Sequence, residues 1–427
     1  MQNNKKISQI QFWSFVIIFA FLYIIWLWFG IYGLPEDQYG VFFKKGNNYM
    51  ADLFNVMFYS KDRDPYNNPI NGMAEKAYFP LSYVICYGLS VLSSLNWYIE
   101  KNEGITYTGS VQSLQSMPIV IGVFFISVLL VILAVQFFEM VEADKWKKYL
   151  IMLIVMGSGT MMFTYERGNL ILLALIGVLL FLMSYDSDVK WFRELGYLGL
   201  AIAGALKGYP AILGILLIYR HEWKEVIRLL IYGVVLAFGP FLLLKGGFSN
   251  IPIWLDNLRA NSDLYMFLRY PRVGYYYFIA NTDGTTNEDK MALVRIWKPI
   301  IMGIGIYSVV SSLFQNRKWL QICTLLTFII IYPANSGLYC LIYLLPVIIL
   351  YLNDNKKRWT DMLYLPIFML VLTPLQIIIR ESNYTLFLDN TAIILLIMMC
   401  LVENTICLVR SIREKTFSAR IRQGIKI

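Results

Sequence analysis

Long apolar runs separated by short basic turns constrain this chain more than any other feature of its sequence. The first run, residues 11–33, exceeds the ~20 residues that a helix needs to cross a hydrocarbon core. Similar runs recur to the end of the chain. Only 15% of the residues are charged, against about a quarter in soluble proteins. The pattern predicts an all-α polytopic membrane protein that forms one membrane module over residues 1–427.

The basic turns indicate how the runs are threaded, because short cytoplasmic loops are enriched in Lys and Arg. They share one side of the membrane if residues 78–98 form a juxtamembrane or re-entrant segment rather than a span. We therefore predict about twelve transmembrane helices, with both termini in the cytoplasm and no cleaved signal peptide. The predicted crossings are 11–33, 117–138, 149–165, 169–185, 195–206, 209–219, 226–244, 294–314, 319–333, 338–352, 361–379 and 387–409.

The same topology predicts the side of the membrane on which the three longest non-spanning segments lie. Residues 34–116 are predicted to form an extracytoplasmic loop that contains juxtamembrane helices. Residues 245–293 are predicted to form a second outer loop. Residues 410–427 carry six basic side chains and are predicted to form a cytoplasmic tail that contacts lipid headgroups.

A short amphipathic helix is predicted at residues 47–59, near the start of the first outer loop. At about 100° per residue, one face is apolar and the opposite face is polar. Such a helix lies flat at a membrane interface with its apolar side down. Its polar face then directs a carboxylate towards water or a cavity. The apolar face consists of Met50, Leu53, Phe54, Met57 and Phe58, and the polar face of Asn48, Asp52, Asn55 and Tyr59.

Charged residues on the predicted outer side require an explanation, because charge is costly beside apolar spans. Arg167 could pair with Glu166 or reach lipid headgroups, Lys207 could also reach headgroups, and the aromatic second loop could be an interfacial belt. A carboxylate that faces several cations instead suits an acceptor that loses a proton beside an anionic donor. The segments that carry these charges are Asp52 with Asp62-Arg63-Asp64, Glu166-Arg167-Gly168-Asn169, Lys207-Gly208-Tyr209-Pro210, and the second outer loop with Arg259, Arg269 and Arg272.

Histidine and cysteine usage excludes several kinds of site. The single histidine, His221, excludes a multi-histidine metal site and disfavours a Ser/His/Asp triad. The five cysteines lie in apolar stretches without a CxxC pair, which indicates packing in the membrane core. Asp62-Arg63-Asp64 matches the Asp-x-Asp of metal-dependent nucleotide-sugar enzymes, but the membrane context favours another donor. We expect no cofactor and no nucleic-acid partner; a divalent metal is possible but not expected.

Four motifs occur in an order that resembles the GT-C superfamily of membrane glycosyltransferases. The resemblance is closest to polyprenol-phosphate-mannose-dependent mannosyltransferases and covers roughly residues 10–245. The family's tyrosine-proline motif usually has a second proline, where this chain has Leu81. The first motif is a pair of segments at about the family's spacing, Asp52-Leu53-Phe54 and Asp64-Pro65-Tyr66. The other three are Tyr78-Phe79-Pro80-Leu81, Arg167-Gly168-Asn169 and Lys207-Gly208-Tyr209-Pro210.

The resemblance implies an inverting glycosyltransferase on the extracytoplasmic face of the cell membrane. A hexose such as mannose would pass from a polyprenyl-phosphate donor to an envelope glycan or glycolipid acceptor. Asp52 would be the general base, since a carboxylate can take the proton of the attacking hydroxyl. Cations would bind the donor phosphate and polar or aromatic side chains the substrate. The implied phosphate ligands are Arg167, Lys207, Arg269 and Arg272; the implied substrate ligands are Asp64, Tyr66, Tyr78, Asn169 and Tyr209.

Two other functions remain open from the sequence. A polysaccharide repeat-unit polymerase is also polytopic and has arginine-bearing outer loops, but a carboxylate on an interfacial helix disfavours it. A transporter or flippase usually has internal repeats and helices that are broken at the membrane midplane. The sequence contains no internal repeat, and its unusual charges cluster on one face.

Overall fold

The computed structural model describes residues 9–32, 50–68, 75–96, 117–267, 272–282, 284–354, 358–373, 376–379 and 384–414. Almost all regular structure in these segments is helical. The α-helices are α1 (Gln9–Tyr32), α2 (Ala51–Ser60), α3 (Pro80–Leu92), α4 (Met117–Met140), α5 (Lys145–Met156), α6 (Gly159–Arg167), α7 (Ile171–Ser184), α8 (Lys190–Lys207), α9 (Ile215–Tyr219), α10 (Trp223–Phe238), α11 (Asn250–Met266), α12 (Tyr275–Ala280), α13 (Asn287–Ser312), α14 (Lys318–Ile331), α15 (Leu345–Asn353), α16 (Tyr364–Leu372) and α17 (Leu388–Arg413). Short 3-10 helices occupy Tyr209–Gly214, Gly239–Leu243, Gly247–Ser249, Leu338–Leu344 and Trp359–Leu363.

Within the described residues, five helices are long and apolar enough to cross a membrane. Helices α5 and α6 add a sixth if the 54° bend between them lies within one span. The other predicted crossings coincide with shorter helices, such as α7 and α14. The prediction of a helical membrane protein with several spans is confirmed, and the number twelve stays a prediction. The five long segments are Gln9–Trp28, Met117–Met140, Trp223–Leu243, Asn287–Ser312 and Leu388–Arg413.

The predicted crossing at 361–379 is wrong in its last part. Helix α16 ends at Leu372, and Gln376–Ile379 forms a strand, β1, that pairs antiparallel with β2 (Tyr384–Phe387). The sequence supplies a reason at each step. Pro374 disfavours helical conformation at the residue before it. The three isoleucines at 377–379 have the β-branched side chains that favour strands.

The predicted outer loop at 245–293 contains two helices, α11 and α12, that were not predicted from the sequence. In α11, Asn250, Trp254 and Asn257 are buried at spacings of four and three residues, so one face of the helix packs inwards. This period is hard to recognise in the sequence because two of the three buried side chains are polar. Helix α11 contributes several side chains to the site described below.

Helices α7 and α8 pack closely through paired glycines. A Cβ on Gly177 would lie 2.2 Å from the carbonyl oxygen of Gly199, so only glycine lets the two backbones approach this far. This contact fixes α8, whose last residue is Lys207.

The amphipathic helix in the first loop is confirmed, as α2, from Ala51 onwards. All five residues of its predicted apolar face are buried. The face rests on the long helix α4, where a Cβ on Gly122 would lie 3.0 Å from Phe54 and 3.3 Å from Leu53. Asn48 lies outside the described residues. The polar face of α2 is thereby held above a membrane helix.

Candidate active site

A cavity of about 710 Å³ lies over the polar face of α2, within the size range of small-molecule sites. Residues from two parts of the chain line it. We call residues up to Tyr209 the N-terminal wall and residues from Leu258 onwards the C-terminal wall. The N-terminal wall includes Asp52, Asn55, Tyr59, Glu75, Tyr78, Phe79, Arg167, Lys207 and Tyr209. The C-terminal wall includes Asn261, Ser262, Tyr265, Tyr276, Lys298, Tyr332, Asn335 and Tyr339.

Asp52 is held by two residues of the predicted Arg-Gly-Asn motif. Arg167 donates to Oδ1 of Asp52 from Nε at 3.1 Å and from Nη2 at 2.5 Å. Asn169 donates from Nδ2 to Oδ2 at 2.6 Å. The Asp52 side chain is 12% exposed and that of Arg167 is 27% exposed. Since each carboxylate oxygen can accept two hydrogen bonds, Asp52 is oriented by the protein and can still accept from a ligand.

Gly168 lets this turn approach α2. It ends α6 with φ 60°, a left-handed conformation that favours glycine. A Cβ at this position would also lie 3.1 Å from Cα of Met50, the residue before α2. The backbone N–H of Met50 donates to the carbonyl of Glu166 at 2.5 Å. The close contact brings Arg167 and Asn169 to Asp52.

Lys207 places an ammonium group between two aromatic rings of the cavity. Its Nζ is 4.7 Å from the ring centroid of Tyr78 and 5.6 Å from that of Tyr339, both within cation–π range. The following residue, Gly208, has φ 71°, and a Cβ there would lie 3.2 Å from the Phe79 ring. In the described part of the chain Lys207 forms no ion pair. Its charge is therefore available to an anionic ligand.

Three predicted tyrosine ligands have different positions. Tyr78 and Tyr209 line the cavity. Tyr66 is buried behind it and donates from its hydroxyl to the carbonyl of Tyr78 at 3.0 Å. Burial, and next the charge of Asp52, raise the pKa of Tyr78 well above its ordinary value, so its hydroxyl stays protonated. Tyr66 thus supports Tyr78 instead of reaching the cavity.

Arg272, predicted as a phosphate ligand, lies outside the cavity lining and is completely buried. Its Nη1 donates to the carbonyls of Tyr265 at 2.5 Å and Ala334 at 3.0 Å. Its Nη2 donates to those of Met266 at 2.8 Å and Tyr276 at 3.0 Å. Backbone carbonyls therefore surround this guanidinium. This position corrects the predicted role of a phosphate ligand, because Arg272 instead connects the segments that form the C-terminal wall.

Two other predicted ligands, Asp64 and Asn169, have positions that differ from expectation, and a third, Arg269, is not tested. Asp64 lies in a turn outside the lining, where it accepts a hydrogen bond from Asn67 at 2.8 Å. The Asn169 amide binds Asp52 instead of facing the cavity. Arg269 lies outside the described residues. No group of three or more His, Cys, Asp or Glu side chains that could hold a metal occurs within the described segments, and the expectation of no metal stays a prediction.

Five residues that line the cavity were not among the predicted site residues: Glu75, Asn261, Ser262, Lys298 and Asn335. One of them carries a signal that was present in the sequence. Lys298 lies within the predicted crossing 294–314, and an ionisable residue inside an apolar span indicates a functional position. The others are ordinary polar residues of loops and of the unpredicted helix α11.

Comparison with models of known protein families identifies a glycosyltransferase family. A model of glycosyltransferase family 87 matches residues 110–352, which is more than half of the 427 residues. The matched segment contains Arg167, Lys207 and the C-terminal wall, and it begins after Asp52. Searches of curated proteins and of solved structures found no match.

Proposed function

The chain belongs to glycosyltransferase family 87, and on this premise we propose that it moves a hexose, such as mannose, from a polyprenyl-phosphate donor to an envelope glycan or glycolipid. In this proposal it is an enzyme of the GT-C type that acts on the extracytoplasmic face of the cell membrane. It crosses the membrane about twelve times, with both termini in the cytoplasm. The observation that carries the proposal is the cavity where Asp52 lies beside Arg167 and Lys207.

The proposed reaction is a single displacement with Asp52 as the general base. The acceptor hydroxyl oxygen bonds to the anomeric carbon while the bond from that carbon to the phosphate oxygen breaks. The hydroxyl proton passes to the Asp52 carboxylate, and polyprenyl phosphate leaves with the electron pair. One displacement inverts the anomeric carbon. A positioned base typically contributes a factor of about 10²–10⁴ to the rate.

Two cations are suited to the charge that develops on the leaving phosphate. Lys207 has three N–H donors and no ion pair in the described part of the chain. Arg167 uses Nε and Nη2 on Asp52, which leaves Nη1 for a ligand. Preformed charges of this kind stabilise a transition state strongly because they need no reorganisation. Arg167 therefore orients the base and also stabilises the leaving group in this scheme.

The position of Lys298 favours a donor that is anchored in the membrane by a lipid. It lies within α13, one of the helices long enough to cross the membrane, and it lines the cavity. Its neighbours Ile296, Trp297 and Ile300 are exposed apolar residues of the kind that face lipid. Lysine is costly in an apolar span unless it faces a polar cavity. The cavity therefore extends to the lipid-facing side of α13, where a lipid-linked phosphate could enter from the membrane.

The test compares wild type, Asp52→Asn and Asp62→Asn in membranes that contain equal amounts of each protein. The substrates are radiolabelled polyprenyl-phosphate hexoses and extracted envelope lipids. Asp52→Asn keeps the shape of the side chain but cannot take the proton, so transfer should fall by about 10²–10⁴. Asp62 is a carboxylate of the same loop that lies outside the cavity lining, and Asp62→Asn should be active. Full activity of Asp52→Asn would refute the base assignment. A wild type that uses no monophosphate donor would refute the donor class.

A further inference from the structure

The polar face of α2 continues along the cavity beyond Asp52. Asn55 and Tyr59 follow Asp52 at spacings of three and then four residues, which places all three on one side of the helix. All three line the cavity. With a rise of 1.5 Å per residue, Asp52 and Tyr59 are about 10 Å apart along the helix. This row is longer than a single reacting sugar requires.

Glu75 lies at the end of the row that is far from Asp52. The Tyr59 hydroxyl donates to Oε2 of Glu75 at 3.0 Å, and Glu75 also lines the cavity. Within the described segments, Oε1 of Glu75 has no hydrogen-bond partner. In Asp52, by contrast, both oxygens are engaged by the protein. Glu75 thus has a whole carboxylate oxygen available for the hydroxyls of a ligand.

Hydrogen bonds hold the backbone at Tyr59 and at Lys76, the residue after Glu75. Lys76 is buried, and its ammonium group donates to the carbonyl of Asn68. Asn257 of α11 donates from Nδ2 to the carbonyl of Lys76 at 3.3 Å. Asn68 also donates to the carbonyl of Tyr59 at 2.8 Å. Glu75 is therefore on a fixed segment and is positioned to select a ligand.

Asn55, between the two carboxylates, has unused hydrogen-bonding capacity. Its Oδ1 is buried and has no donor within the described part of the chain. Buried polar atoms of proteins nearly always have a partner. A ligand with several hydroxyl groups that lies along the row would let the Asn55 amide complete its hydrogen bonds.

Charge decides which substrate occupies the row. A carboxylate repels a phosphate, so the end marked by Glu75 disfavours the donor. The cations Arg167 and Lys207 act at the Asp52 end. The acceptor, whose hydroxyl must meet Asp52, therefore extends from Asp52 towards Glu75.

We propose that Asn55, Tyr59 and Glu75 form a subsite for the acceptor glycan. Glu75 accepts hydrogen bonds from hydroxyls of the sugar next to the one that is extended. The acceptor is then at least a disaccharide, and a monosaccharide or a bare lipid is a poor substrate. The proposal rests on the proposed function and adds the substrate class of the same cavity.

The test measures kcat/KM for octyl mono-, di- and trimannosides with a polyprenyl-phosphate mannose donor. Wild type should prefer the disaccharide to the monosaccharide. Glu75→Gln should lower kcat/KM for the disaccharide about tenfold, the effect of one hydrogen bond to a charged group, and leave the monosaccharide nearly unchanged. Tyr59→Phe, which removes the hydroxyl that holds the Glu75 carboxylate in place, should change the length preference in the same direction but less. Glu288→Gln is the matched control, because Glu288 is exposed and outside the cavity.

A calorimetric titration of the same mannosides without donor separates this proposal from the donor assignment. Stronger binding of the disaccharide by wild type, lost in Glu75→Gln, supports the subsite even if no polyprenyl-phosphate hexose is a donor. Equal binding of all lengths by wild type would overturn the subsite. An equal loss of kcat/KM for mono- and disaccharide in Glu75→Gln would also overturn it, because Glu75 would then act on folding or on the reaction itself.

Discussion

The two walls of the cavity differ in the chemistry that they present. The N-terminal wall has two carboxylates, Asp52 and Glu75, and two cations, Arg167 and Lys207. The C-terminal wall has amides, hydroxyls and aromatic rings, such as Asn261 and Ser262, with Lys298 as its cation. In the proposed function, the N-terminal wall supplies the reacting groups and the acceptor subsite of Asn55, Tyr59 and Glu75. The C-terminal wall then supplies further contacts that position the substrates.

Arg167 and Arg272 have different surroundings, although both belong to segments that form the cavity walls. Arg167 reaches the cavity and binds a carboxylate there. Arg272 is buried behind the C-terminal wall, surrounded by carbonyls, and its backbone forms a bridge with Gly337 of that wall. Both residues are arginines in segments predicted to face outwards. Arg167 thus lines the cavity beside Asp52, and Arg272 holds the segments of the C-terminal wall together.

Among the substitutions that test this difference between the walls, the largest effect is expected for Lys207→Met. It removes one of the two cations of the N-terminal wall and keeps the length of the side chain. In the proposed reaction Lys207 stabilises the charge that develops at the leaving phosphate, so kcat should fall by about 10²-fold with little change in acceptor KM. Lys190→Met is the matched control, since Lys190 is exposed at the other end of α8. Initial-rate kinetics with donor and acceptor varied separately provide the measurement. A change confined to acceptor KM would remove Lys207 from the reacting centre.

An intermediate effect is expected for Lys298→Ala in the C-terminal wall. If Lys298 receives the lipid-linked phosphate, donor KM should rise about tenfold with kcat nearly unchanged. The effect should shrink with a short-chain, water-soluble donor that need not enter from the membrane. Arg295→Ala is the control, because Arg295 is exposed on the same helix but does not line the cavity. Equal effects of the two substitutions would mean that only the general charge of α13 matters.

The sequence predicted most of the helices and one wall of the site. Hydrophobic runs and basic turns are local patterns, so they located the long helices well. The face of α2 was also local, because spacing along one helix decides which side chains share a side. Arg167 and Lys207 were recognisable because their charges interrupt apolar surroundings next to a glycine.

The rest depended on contacts between distant segments. The sequence gives no reason to separate Arg272 from Arg167, since only packing decides whether a guanidinium meets a carboxylate or a set of carbonyls. Glu75 is an ordinary acidic loop residue until Tyr59 is seen to bind it. The C-terminal wall was missed for the same reason, because α11 was taken as loop and its polar residues acquire a role only where they meet the cavity.

The smallest effect is expected for Asn335→Ala in the C-terminal wall. Asn335 donates from Nδ2 to Oδ1 of Asn261 at 3.1 Å, and both amides line the cavity. Loss of a neutral hydrogen bond typically changes binding by a factor of about 2–10, so acceptor KM should rise by that factor while kcat stays close to wild type. Asn316→Ala, an exposed asparagine outside the cavity, is the control. A fall in kcat as large as that of Lys207→Met would contradict the division of roles between the walls, because a neutral amide would then contribute to the transition state as strongly as a cation.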